Sequence, residues 1–223
     1  MNTRFWTPPE IYQLWVTRTD NHPNAEFPGG TADYITVHET DNWNPGADAA
    51  AHAAWMYSPT GAPYAWHETV DDKEIWQSIP VTMQGWHAGD GLYGLGNTES
   101  IGIEICVFKG IDQERAYLNA AWRIAQLIRD GHGRLGVVQH NFWTGKHCPR
   151  GLRDNGLWDW FLGRISFFKE GPVVEGKQED YARALNRAVM QRNDLIHIAS
   201  GDYDKVKLAH AILVEKGLVP VRD

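Results

Sequence analysis

The chain has 223 residues, 43% of them hydrophobic, and a net charge of −7, which allows one well-packed domain with a small appendage. Lysines and arginines form no block, so neither nucleic acid nor an anionic membrane surface is expected as a partner. No apolar run approaches the ~18 residues of a membrane-crossing helix, and two cysteines, Cys106 and Cys148, are too few for a disulfide scaffold.

Residues 1–30 are rich in Pro, Gly, Asn and Asp and read as an irregular lead-in with one short helix near Pro8–Val16. No secretory signal follows Met1, so the protein is expected to stay in the cytoplasm until something else releases it. Residues 33–38 alternate, carry β-branched side chains and predict a strand ending at His38. Asn42–Asp48 is a turn, and the alanine-rich stretch Ala47–Tyr57 predicts a helix stopped by Ser58-Pro-Thr-Gly-Ala-Pro63. Ala65–Val70 and Glu74–Ile79 pair as a hairpin around Asp71-Asp72-Lys73. The glycine-rich Trp86–Asn97 predicts a flexible loop without a regular element. Ser100–Phe108 reads as a buried strand. Asp112 caps a helix running to Arg129, with Leu118, Ala121, Trp122, Ala125 and Ile128 at helical spacing, and Leu135–His140 is a further short strand.

Strands alternating with helices define an α/β domain whose central sheet is covered on both faces. It is expected to span residues 1–169. Glu170–Lys177 reads as a linker, and residues 178–223 as a small helical segment of two amphipathic helices, the second capped by Asp202. Two such helices are too small to hide their apolar faces alone, so the segment serves as a targeting module, a dimerisation element or a structural hairpin.

The densest chemistry lies in His140-Asn-Phe-Trp-Thr-Gly-Lys146-His147-Cys148-Pro149-Arg150. Together with His38 far upstream, it offers two imidazoles and one thiolate. That is a three-ligand zinc set with the fourth position left for water, the arrangement of catalytic zinc. Each member alone is weak, since the chain has ten histidines and a free cysteine usually behaves as a small hydrophobe. Glu104 interrupts a strand otherwise built of Ile101, Ile103 and Ile105, where a charge needs a reason. Either it moves protons or it pairs with a neighbouring cation. Eleven tryptophans and eight tyrosines serve as core side chains or as stacking surfaces for sugar rings.

The ordered segments Thr36-Val-His38-Glu-Thr40, Trp66-His67 with Val70–Ile75, Gly85-Trp-His-Ala-Gly-Asp-Gly91, Ser100–Ile105, and His140 with Lys146-His-Cys148-Pro149-Arg150 resemble the type-2 N-acetylmuramoyl-L-alanine amidases. The likeness covers roughly residues 30–165, is nearest to Bacillus and phage endolysins, and extends more distantly to the peptidoglycan-recognition proteins. It implies a central mixed sheet flanked by helices, with His38, His140 and Cys148 as ligands of one zinc ion. It also implies bacterial peptidoglycan as partner and cleavage of the amide between the lactyl group of N-acetylmuramic acid and L-alanine, by water that the metal activates. By the same resemblance Glu104 is the proton-transfer group and Lys146 a stabiliser of the developing oxyanion, while His67, Trp86 and His87 are candidates for substrate binding.

Two departures stand out. His147 occupies a place where relatives often carry an acid, and Trp66 stands where distant relatives have a tyrosine, so the tyrosine's role is not transferred, to Tyr64 or otherwise. Cys106 is expected to be an inert buried thiol. Three rival readings remain open at this level: a peptidoglycan-binding module without catalysis, a cytoplasmic amidase recycling muropeptides, and a structural zinc protein in which His147 supplies a fourth ligand.

Overall fold

Six strands build the sheet: β1 (Glu10–Gln13), β2 (Tyr34–Glu39), β3 (Glu68–Val70), β4 (Glu74–Gln77), β5 (Ser100–Ile105) and β6 (Gly136–Gln139). They lie in the order β1-β4-β3-β5-β2-β6. The β3–β4 pair is antiparallel and the other pairings are parallel, so the sheet is mixed. The computed structural model describes residues 6–17 and 20–170, nearly all within one compact unit, Pro8–Gly171. The expected segments 171–177 and 178–223 lie outside the described residues.

The first element departs from expectation. Residues 10–13 form β1, not a helix, and pair with β4 from Glu10↔Glu74 to Gln13↔Gln77. Pro8 and Pro9 hold the chain extended as it enters, and a helix this short has little stability of its own in water, so the open edge of β4 captures the segment.

The hairpin is sharper than its composition indicates. Asp71 Oδ1 accepts the amides of Lys73 and Glu74 at 2.7 and 2.8 Å, closing the turn. Its Oδ2 accepts Ala49 N at 3.0 Å and so docks the start of helix α1 (Ala49–Tyr57) on the sheet. Asp48 caps the same helix through Ala51 N. The glycine-rich loop is not featureless either. It contains the short helix α2 (Leu95–Thr98), and Asn97 ties it together by accepting the amides of His87 and Ala88, both at 2.8 Å, and donating to Gly91 O at 3.0 Å.

Period-two alternation divides the two central strands cleanly. Ile101, Ile103 and Ile105 on β5 and Ile35 and Val37 on β2 are fully buried and lie toward helix α3 (Gln113–Arg129). Helix α3 is capped by Asp112 and amphipathic as its spacing predicts. A late helix, α6 (Trp158–Glu170), packs on α3. Thr36, His38, Gly102 and Glu104 point from the other face, with Thr36 opposite Gly102 and His38 opposite Glu104 in register. Among the described residues, no helix is long and apolar enough to cross a membrane.

Candidate metal centre and its cleft

The second half of the site is built by a folded-back segment. After β6, α4 (Asn141–Thr144) ends at Gly145, whose φ of 75° is a left-handed cap that favours glycine. Asn141 N then donates to Cys148 O at 3.0 Å. This return brings Cys148 beside His140, and the parallel β2–β6 pairing brings both beside His38. The ligand atoms of His38, His140 and Cys148 lie within 4.8 Å of one another, and all three residues are buried. The cluster sits at the carboxyl ends of parallel strands, where open α/β sheets place ligands.

The ring hydrogen bonds decide which nitrogens are free. His140 Nε2–H donates to Ala88 O at 2.8 Å, so its Nδ1 carries a lone pair. His87 Nε2–H donates to Ser100 O at 2.9 Å, which leaves His87 Nδ1 to accept His38 Nε2–H at 3.0 Å. Carbonyl oxygens only accept, so this chain of donors leaves His38 Nδ1 as a lone pair too. The two lone-pair nitrogens face each other 2.8 Å apart. Two neutral imidazoles in these tautomers repel unless a cation lies between them. Burial, first of all, holds both rings below the ordinary imidazole range, which disfavours a proton there and suits a metal ion. Burial also pushes the Cys148 thiol up to about 12, so ionising it calls for a directly bound cation. The donor set fits a metal.

Glu104 stands next to this set. Its Oε1 is 3.8 Å from His38 Nδ1 and its Oε2 is buried without a hydrogen-bond partner. Burial pushes the carboxyl up to about 8, with the Lys146 cation pulling the other way. The alternative reading of this residue, an ion pair to a neighbouring lysine or arginine, is not formed among the described residues.

His140, Cys148, Glu104, Trp86, His87 and the exposed Lys146 line one cleft of about 1060 Å³, and His38 lies buried beside them. Trp86 Nε1 is a buried donor without a partner. His67 is not among these residues. It is fully buried, its Nε2–H donates to Met83 O at 2.7 Å, and its Nδ1 accepts Gly102 N at 2.9 Å. Both nitrogens serve the backbone, so the expected substrate contact is corrected to a structural one. His87 lines the cleft, but both of its nitrogens are committed and its ring lies on Gly102, where a Cβ would stand 2.6 Å away. Its contact in hand is therefore with His38. His147 is exposed and turns to Asp154, with Nε2 2.6 Å from Oδ1, so it does not join the ligand cluster. Trp66 donates to Thr69 Oγ1 at 2.6 Å, and Cys106 is buried against His52.

Sequence reasoning gives four contributing residues no role. Asp41 and Arg150 form a two-pronged ion pair at 2.9 and 2.8 Å on the cleft wall. Asn97 holds the Ala88 carbonyl where His140 needs it, and only the composition of its loop hinted at a turn. Glu39 is buried beside His38, and the argument that singled out Glu104, a charge in an apolar strand, applied to it equally.

An α/β sheet that brings two imidazoles, a thiol and a largely buried carboxylate together beside one cleft defines a candidate metal-site protein. The family model described as N-acetylmuramoyl-L-alanine amidase matches residues 28–151, more than half of the chain. The chain belongs to this family. It is 48% identical over 134 residues to the Bacillus subtilis N-acetylmuramoyl-L-alanine amidase CwlH, covering 60% of this chain and 52% of that one. To XlyA of the same organism it is 50% identical over 156 residues, covering 70% and 51%. The chain thus matches about half the length of these relatives. Among solved structures, the catalytic domain of XlyA superposes with a TM-score of 0.64 at 44% identity, covering 70% of this chain and 99% of that one. A structure of PlyL gives 0.59 at 30% identity, covering 70% and 96%.

Proposed function

We propose that this chain is a zinc-dependent amidase of endolysin type, cutting the bond between the lactyl group of N-acetylmuramic acid and the L-alanine of the peptidoglycan stem. The observation that carries the reading is the pair of lone-pair nitrogens on His38 and His140, with Cys148 beside them. CwlH and XlyA bear the amidase name, which supplies the bond class.

His38, His140 and Cys148 would hold the ion. A zinc ion at such a site lowers the pKa of water toward 7 and polarises a carbonyl. The remaining work belongs to the protein's own groups. Glu104 takes a proton from the attacking water through its free Oε2 and passes it to the departing L-alanine nitrogen. Lys146, exposed at the rim, offers a cation to the scissile oxygen as it gains charge. The unpartnered Trp86 Nε1–H donates to a substrate carbonyl or hydroxyl. His87 contributes by holding His38. Three protein donors without a fourth among the described residues favour catalysis over a closed structural zinc site.

Purified protein incubated with isolated cell walls should release new L-alanine amino termini without new reducing sugar ends, and a chelator should stop it. Tight wall binding without new amino termini would instead favour the binding module. Turnover of soluble muropeptides but not of sacculi would favour recycling. Glycan cleavage, or activity indifferent to chelation, would refute the proposal.

A further inference from the structure

We propose that Glu39 is the positioning residue that locks Cys148 onto the two histidines, coupling the end of β2 to the segment that carries the third ligand. The inference rests on reading His38, His140 and Cys148 as one metal-binding set.

The geometry is two-sided. The main-chain N–H of Glu39 donates to Cys148 Sγ at 3.5 Å. The side chain reaches past Pro149 and accepts the next amides of the same segment, Leu152 N at 3.2 Å and Gly151 N, at the start of α5 (Arg150–Asp154). A third donor, Tyr117 Oη on α3, reaches the same carboxylate at 2.7 Å. One residue therefore grips the Cys148–Leu152 stretch by its sulfur and by its helix, and is itself tied to α3. Because it directly follows His38, any shift of this grip moves the cysteine relative to the first imidazole.

No cation accompanies the carboxylate in these contacts, although Glu39 is only 5% exposed. Burying a charge against three neutral donors is an expensive way to build a loop. Its return is direction, since charge-assisted bonds to two successive amides fix the segment more tightly than neutral ones. Outer residues of this kind commonly govern metal affinity. Gly151 completes the device. A Cβ there would stand 2.7 Å from Tyr117 Oη and 3.0 and 3.1 Å from the Glu39 carboxylate oxygens, so any larger residue would push these clamp atoms out of place.

The test is cobalt(II) substitution of the full chain, read by thiolate-to-cobalt charge-transfer absorption, with zinc affinity measured by competition. The chain itself must show the band, because its absence would overturn the three-ligand reading and this inference together. Given that band, Glu39→Gln, which cannot accept from every donor, should weaken zinc binding by about 10–100-fold and lose much of the absorption. Gly151→Ala, which crowds the clamp from the other side, should do the same and carries the test if Glu39→Gln fails to fold. Ile79→Ala serves as the control for mere loss of stability, because its apolar cluster contains none of the ligands; it should keep both signals. A full band and a zinc affinity within about twofold of the parent chain in the folded clamp variants, well short of such an outer-residue effect, would overturn the clamp and leave the metal set standing.

Discussion

At Glu104 the strand's apolar environment and the proposed chemistry meet in one side chain. A carboxyl with one oxygen near His38 and the other unpartnered has no structural bond to satisfy, so its removal should cost reactivity more than stability. Glu104→Gln keeps the shape and deletes the proton acceptor. Turnover on cell walls should fall by roughly 10²–10⁴-fold, the usual range for proton transfer, while the bound metal per chain stays unchanged. A variant that retains turnover close to the parent's would remove Glu104 from the reaction.

Between elements, one buried ion pair joins α3 to the sheet. Glu68 on β3 is fully buried, and Arg123 on α3 binds it in a fork, with Nε 2.9 and 3.0 Å from the two carboxylate oxygens and Nη2 2.6 Å from Oε1. Replacing such a pair with apolar residues can be neutral, but leaving one charge alone in the interior is not. Arg123→Ala should therefore lower unfolding free energy by about 3–5 kcal/mol, measured by denaturant titration. A loss comparable to that of an exposed ion pair would mean that water or another donor reaches Glu68. The glycine-rich loop carries the same lesson at lower energy: one asparagine side chain, not a helix or strand, sets the position of the Ala88 carbonyl that orients His140.

Across the whole molecule, histidine rings run inward from the site: His140 to His38 at 4.4 Å, His38 to His87 at 5.2 Å, and His87 to His67 at 5.6 Å between centroids. Burial, ahead of the neighbouring imidazoles, holds His67 down to about 3. An unfolded histidine titrates near 6.5, so acid favours the unfolded chain, which binds the proton more readily. The stability from keeping His67 neutral is complete above about pH 6.5 and is lost as pH falls toward 3. Melting temperature should therefore drop steadily from pH 7 to pH 5. His67→Gln, whose amide can still meet Gly102 N–H and Met83 O, should flatten that slope. An identical slope in the variant would assign the acid sensitivity to other groups.

Local rules were enough for much of this protein. Alternation in Tyr34–Glu39 and Ser100–Ile105, helical spacing after Asp112 and the Asp-Asp-Lys turn are nearest-neighbour effects, and each element appears within a few residues of where the pattern puts it. The cluster of His38, His140 and Cys148, which could hold a metal ion, was legible because its residue types are rare in combination, and because the order of the surrounding motifs resembles one family. What only the tertiary structure decided depends on partners distant in sequence. Residues 10–13 became a strand because β4 offered an edge. His67 turned inward because Gly102 and Met83 claimed its nitrogens, whereas His87 reached His38. Glu39 acquired a task only when the chain returned, more than a hundred residues later, to present Gly151 and Leu152. Period and propensity are set by a residue and its neighbours along the chain, but the use of a hydrogen-bonding atom is set by whatever the fold brings within 3 Å of it.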